Sequence, residues 1–498
     1  MKIVCAFILV YATLTSATLA ITTGPCPQAA FLTSEQGVLT GVDWFEQSQT
    51  HVHTRSELTQ SAIIDSTLSI RGDETVVRAS TSFAMAGMPA SVPKVHTFDK
   101  ATIYWSDMVP SSLQQAVARA RVLDRAVTKV HAGSLFTDAV GDIAIRRIDS
   151  TDWTVGYHSK TYQVLTDTNG CVISASLPDF GVTIERRLGF PESAYPLWSP
   201  YGAPPDRAYD AVDVAIRASG GAVLAGTLTK PLHAMQVPAV VVITGLSPHE
   251  RNNGQPPWMP LRDIADALTR AGIAVLRVDD RGVGKSTGDN ETWTTFDKVD
   301  DVRAEVRWLE AQPGIDPSRI ALVGYSEGGL IAPMVAADDP SIAAVITLAG
   351  PGVAGPDLAR FQIAARVDND PSVAPAGKEK EIERQLAEPL DPHEKSFMSI
   401  DPLSYARRVR CPTLIVQGST DLDVPVRSAE RLATAMRSNG NRDVTVRLFP
   451  GISHSLLPDA SGLDTGWATL PAFITSPLIL DTVGGWAVGH LFRANAPH

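Results

Sequence analysis

Gly324-Tyr325-Ser326-Glu327-Gly328 constrains the fold of this chain more than any other stretch, because it demands a sharp turn from strand to helix. Four apolar residues, Ile320-Ala321-Leu322-Val323, lead in as a buried strand. Gly329-Leu330-Ile331-Ala332-Pro333-Met334-Val335-Ala336 leads out as the start of an apolar helix. Glycine occupies both flanks, where a Cβ is expected to clash. The turn lifts the serine hydroxyl above the sheet and places a helix N-terminus behind it, as a nucleophile requires.

A serine hydroxyl is a poor nucleophile until a base takes its proton, and that base needs a carboxylate to hold its tautomer. The stretch 412–416 reads as another buried strand and runs into Gln417-Gly418-Ser419-Thr420-Asp421-Leu422-Asp423. An acid just past a strand lies on the sheet edge that displays Ser326. Asp421 is the candidate because it comes first, and Asp423 competes with it. Further on, the stretch 444–449 alternates like a strand and leads to Pro450-Gly451-Ile452-Ser453-His454. Of 11 histidines, His454 alone follows a late strand downstream of both serine and acid. The order Ser326, Asp421, His454 therefore predicts a catalytic triad. Its oxyanion hole is expected from two backbone amides. One belongs to Glu327, and the other to Leu246 in the loop Thr244-Gly245-Leu246-Ser247-Pro248, which follows the strand at 240–243. The Glu327 side chain is expected to face solvent or a neighbouring loop.

On these motifs, the chain from about residue 206 to its end resembles the α/β-hydrolase fold, in its bacterial esterase and serine-aminopeptidase-like branch. The resemblance extends to Asp279-Asp280-Arg281-Gly282-Val283-Gly284-Lys285-Ser286-Thr287-Gly288, which fits a loop similar enzymes carry after the strand that follows the oxyanion loop. One position departs. Thr244 stands where similar enzymes usually have histidine, which leaves the amide intact but puts the shape of the hole in question. The resemblance implies a mainly parallel sheet covered by helices. It also implies a lid over the serine, read here as a short cap at about 352–400 with two weak helices. Gly284-Lys285-Ser286 mimics the end of a phosphate-binding loop, but Asp279 occupies the place of its first glycine and a carboxylate there repels phosphate.

At 498 residues the chain calls for two domains. A net charge of −11 argues against nucleic acid and against an anionic membrane surface as partners. Met1-Lys2, the apolar run from Ile3 to Leu14 and the small residues up to Ala20 read as a signal peptide over 1–20, which predicts export to the periplasm or the medium. No stretch reaches the length of a membrane span. Three cysteines then remain, Cys26, Cys171 and Cys411, with no metal-site spacing; a Cys26–Cys171 bridge is possible and undecided.

Residues 21–190 differ from the second half. Short alternating runs dominate, and Asp167-Thr168-Asn169-Gly170 marks a hairpin between the runs at 162–166 and 171–177. An antiparallel β-rich domain with a helix near 111–126 is expected, joined by a Pro-rich linker at 191–205 to the hydrolase domain at 206–498. His51 and His53 share one strand face and are read as exposed residues. The expected function is a serine hydrolase acting on a small-molecule ester or related acyl substrate, needing no metal or organic cofactor. Peptidase and thioesterase activity, and a non-catalytic binding role on the same fold, are the alternatives.

Overall fold

The computed structural model of the chain describes residues 26–492 apart from 107–108, 134–139, 158–159, 371 and 464–471. The proposed signal at 1–20 lies outside the described residues. Twelve strands build the first domain. They are β1 (Ala29–Glu35), β2 (Val38–Gln47), β3 (His51–Leu58), β4 (Ala62–Ile70), β5 (Val76–Met85) and β6 (Lys94–Tyr104). After helix α1 (Ser112–Leu123) come β7 (Val127–Gly133), β8 (Val140–Arg147), β9 (Asp152–Tyr157), β10 (Lys160–Thr166), β11 (Val172–Leu177) and β12 (Val182–Arg187).

Alternation drives this domain. In β10, Tyr162, Val164 and Thr166 are buried while Thr161, Gln163 and Leu165 are exposed, the period of a half-buried strand. Neighbouring strands pair in chain order, and β12 pairs with β1 from Glu35↔Val182 to Ala30↔Arg187, so the sheet closes into a barrel. The Asn169-Gly170 turn joins β10 to β11, with Gly170 at φ +89°. One pair departs from the antiparallel expectation. β6 and β7 run parallel, because the chain crosses between them through α1 and re-enters in the same direction. Leu113, Ala116, Val117 and Ala120 of α1 join the barrel core. Buried Asp43 accepts from the Ser111 amide (2.7 Å) at the start of α1 and from Ser56 Oγ (2.9 Å); burial pushes its carboxyl up to about 6. Cys26 and Cys171 form a disulfide between the segment before β1 and the start of β11. His51 and His53 are exposed on β3.

The second domain contains β13 (Tyr209–Arg217), β14 (Val223–Pro231), β15 (Val237–Ile243), β16 (Ala274–Val278), β17 (Ile315–Tyr325), β18 (Ala344–Leu348), β19 (Thr413–Gly418) and β20 (Val444–Phe449). Their order across one sheet is β13-β14-β16-β15-β17-β18-β19-β20, parallel from β16 onward after an antiparallel hairpin. The helices are α2 (Pro260–Arg270), α3 (Thr295–Glu310), α4 (Gly328–Asp338), α5 (Gly355–Asp368), α6 (Lys378–Leu386), α7 (Pro392–Met398), α8 (Pro402–Ala406), α9 (Arg427–Ser438) and α10 (Pro477–Leu491). Central strands are apolar on both faces because both are covered. Val241 packs with α3 and α4, while Val240 and Val242 pack with α2 and α10. This is the α/β-hydrolase fold. The segment at 352–400 holds three helices, α5 to α7, where the sequence suggested two weak ones. Their charged surfaces pair across the cap, Arg360 with Glu379 and Glu383.

The two domains meet along a continuous seam. Thr59 Oγ1 donates to Pro257 O (2.9 Å), and Arg262 Nη1 donates to Ser61 Oγ (2.8 Å). Leu457, Ala472 and Phe473 of the second domain belong to the barrel core. Glu35, at the end of β1, accepts the amides of Phe473 (2.6 Å) and Ile474 (2.9 Å), and burial pushes its carboxyl up to about 7.

Candidate active site

β17 ends at Tyr325 and α4 begins at Gly328, which leaves Ser326 and Glu327 to turn the chain. Ser326 adopts φ +55°, a left-handed conformation that non-glycine residues occupy only at a cost. The glycines allow it. A Cβ on Gly324 would lie 1.9 Å from the Gly328 carbonyl oxygen, and one on Gly328 would lie 2.5 Å from that of Ile243.

Beyond the carboxyl end of β20, a turn through Gly451 brings His454 back over the sheet. Its Nε2 lies 3.0 Å from Ser326 Oγ, and its Nδ1 lies 3.0 Å from Asp421 Oδ2. Tyr325 lies at a tilt beside the imidazole, with ring centroids 5.3 Å apart, and its hydroxyl donates to His454 O (3.0 Å). Asp421, buried just past β19, accepts from the amides of Asp423 (2.9 Å) and Val424 (2.7 Å) and from Gln417 Nε2 (2.7 Å). A carboxylate held by three donors cannot swing away, so it fixes the ring it faces. Asp423 instead lines the open cleft. The structure thus brings Ser326, His454 and Asp421 into one hydrogen-bonded line and leaves Asp423 outside it.

The loop after β15 is tied through Thr244, Gly245, Leu246 and His249. Thr244 Oγ1 donates to both oxygens of Asp280 (2.9 Å each), and Asp280 also accepts the His249 amide (2.9 Å). The threonine that departs from the family pattern therefore anchors the loop to the glycine-rich segment. Gly245 N donates to Asn253 Oδ1 (2.6 Å), and His249 Nε2 donates to Leu246 O (2.7 Å). A Cβ on Gly245 would stand 3.3 Å from that of Ser326, so the loop presses against this serine. Burial, reinforced by Lys298, holds the His249 imidazole below its usual range. Asp279, the residue that spoils the phosphate-loop match, receives a two-pronged pair from Arg251 (2.8 and 2.7 Å). The segment from Asp279 to Gly288 is a structural brace.

The Glu327 side chain contradicts the sequence reading. It is fully buried, accepting from Thr295 Oγ1 (2.7 Å) and facing His393 Nε2 (2.7 Å), with Lys298 Nζ at 3.5 Å. Burial alone would push its carboxyl up, but Lys298 and the bonds from His393 and Thr295 hold it below the ordinary range. Sequence reasoning missed Lys298 and His393. Lys298 carries one signal, a charge sharing the stripe of α3 with Val302 and Leu309. Nothing local marks His393.

Above Ser326 opens a cleft of about 560 Å³ between the sheet edge and the cap. Leu246, Trp258, Ile363, Leu390 and Met398 give it apolar walls on one part, while Gln362, Arg366, Glu388, Glu394 and Asp423 line the rest. Of the cap carboxylates, Glu381 pairs with Arg384 and Glu383 with Arg360. Glu388 reaches the cleft but also pairs with Arg384 (2.7 Å). No helix among the described residues is long and apolar enough to cross a membrane.

Two family models match this domain, the serine aminopeptidase S33 family over residues 260–371 and the prolyl oligopeptidase family over 360–476. The esterase EstD of Thermotoga maritima is 24% identical over 279 residues, which cover 53% of this chain and 65% of that protein. A polyketide transferase of Stachybotrys chlorohalonatus is 34% identical over 138 residues, 28% of this chain and 43% of that protein. The chain thus spans less than two thirds of either relative. Among solved structures, an esterase of Pyrococcus furiosus is 18% identical at a TM-score of 0.43, covering 59% of this chain and 94% of that one. Est1E of Butyrivibrio proteoclasticus with bound ferulic acid is 20% identical at 0.40, covering 56% and 100%.

Proposed function

We propose, from a C-terminal domain that is an esterase-type α/β-hydrolase, that this chain is an exported serine hydrolase cleaving carboxylic esters of small molecules. The observation that carries the reading is the line from Ser326 Oγ through His454 to Asp421, with 3.0 Å at each step. His454 Nε2 takes the serine proton as Oγ attacks the acyl carbon. Charge then develops on the acyl oxygen, where the Leu246 and Glu327 amides receive it. The tetrahedral adduct collapses, the alcohol leaves with the proton from His454, and the acyl group stays on Ser326. Water repeats the sequence and releases the acid. Asp421 stabilises the imidazolium at both stages. Every proton is carried by this chain's own side chains, so the cycle calls for no cofactor.

The apolar walls of the cleft and the name of the Thermotoga relative favour esters. The peptidase reading is supported by the two family models, and it needs a carboxylate free to bind an amine. Asp423, at the cleft wall, is the residue best placed for that. Nitrophenyl esters of graded chain length assayed beside aminoacyl nitroanilides decide between them. Turnover of the anilides at or above the rate of the esters overturns the ester reading. Export rests on the stretch at 1–20, and recovery of the full-length chain from the cytoplasm alone would remove it.

The two aspartates carry separable expectations. Asp421→Asn is expected to lower kcat about 10⁴-fold, since a neutral amide neither holds the tautomer nor stabilises the imidazolium. Asp423→Asn is expected to leave ester kcat within about threefold of wild type, because its carboxylate takes no part in the hydrogen-bonded line. Steady-state kinetics of both variants on one ester checks the assignment, and the opposite ranking moves the acid to Asp423.

A further inference from the structure

The oxyanion loop is held by a buried chain of charges that begins in the cap. Lys298 is buried, and its Nζ donates to the Gly245 carbonyl oxygen (2.7 Å) while lying 3.2 Å from Asp280. That carbonyl belongs to the same planar peptide unit as the Leu246 N–H. In a trans peptide the two bonds point in opposite directions, so a cation fixed on the oxygen aims the N–H and polarises it. Lys298 is itself held by Glu327, whose backbone amide is the second proposed donor. Glu327 is held from above by His393, on cap helix α7. His393 packs at a tilt against Trp293 with ring centroids 4.6 Å apart, and Ser396, one turn on, accepts the Thr295 amide (2.8 Å).

We propose that His393, Glu327 and Lys298 form a positioning relay through which the seated cap sets the direction of the Leu246 N–H in the oxyanion hole. The inference rests on the serine-hydrolase reading. His393 never reaches the cleft; it acts through Glu327 and Lys298. The relay makes the cap more than a wall. When α7 is docked, Glu327 is fully paired and Lys298 stays on Gly245. When α7 lifts, Glu327 loses its imidazole partner and draws Lys298 toward itself, so the loop loses its anchor.

The test replaces His393 with Ala, with Met to fill the imidazole's volume without a donor, and with Gln, whose amide nitrogen reaches the place of Nε2. The Ala and Met variants are expected to lose about 10- to 100-fold in kcat on a nitrophenyl ester, with KM within about threefold. The Gln variant is expected to recover most of kcat. Amide hydrogen exchange of the peptide spanning 244–249 is expected to quicken in Ala and Met and to return toward wild type in Gln. A loss carried wholly by KM, a Gln variant as slow as Met, or unchanged exchange at 244–249 overturns the relay. Should Ala fail to fold, Met and Gln carry the comparison. The exchange measurement needs no turnover, so it decides the relay even if wild type cleaves no ester. Failure of a fluorophosphonate to label wild-type Ser326 counts separately, against the serine-hydrolase reading.

Discussion

Replacing Ser326 with alanine is expected to lower kcat on esters by about 10⁶, the scale on which loss of the nucleophile acts in a working triad. The fold should be untouched. The hydroxyl's hydrogen-bond partner among the described residues is His454, and alanine accepts the same backbone strain as serine at φ +55°. Ser326→Gly provides the complementary measurement. Glycine enters the left-handed region freely, so this variant should be equally inactive yet more stable, by about 1 kcal/mol. Inactivity with raised stability marks a residue kept in a strained conformation for its chemistry. A fluorophosphonate should label wild type at Ser326 and neither variant. Labelling at another serine, or appreciable turnover in Ser326→Ala, overturns the mechanism.

His454→Ala is expected to cost about as much as loss of the serine, because the two act as a unit. The wild-type pH profile adds a second test. Free imidazole titrates in the range centred on ~6.5 and only its neutral form accepts the serine proton, so kcat/KM should fall on the acid side through a single ionisation. His249 is the other histidine close to the nucleophile, but burial and Lys298 hold it below that range, so its titration would appear at lower pH. Its ring is also spent on the Leu246 carbonyl. His249→Ala should therefore retain the acid limb while weakening the loop. If His249→Ala is dead and His454→Ala keeps both rate and limb, the base has been misassigned.

The hydrolase half was legible because its signals are local. A strand ending on Gly324, a helix opening at Gly328, an acid after one strand and a histidine after another are each readable within ten residues. Their order then does the work of a structure. The failures share a different cause. The Glu327 side chain was expected outside because nothing near it in sequence offers a partner. Its partners come from α3, some 30 residues upstream, and from α7, some 66 residues downstream. The closure of β1 onto β12 is equally invisible, since twelve strands of similar alternation permit many pairings. The parallel β6–β7 pair follows from where α1 lies, inside the barrel core, and α1 reads from sequence only as an ordinary helix.

The seam between the domains changes what the barrel means for the enzyme. The chain leaves His454, sends Leu457 into the barrel core, and returns through Phe473, whose amide is clasped by Glu35. His454 thus lies just ahead of a stretch that enters the barrel core at Leu457 and again at Phe473. A fragment beginning at the linker would keep Ser326, Asp421 and His454 and lose the core into which Leu457 packs. The two domains therefore form one exchangeable unit rather than two. Recombination that swapped the barrel for another would have to supply a core that receives Leu457 and Phe473 and a carboxylate in place of Glu35.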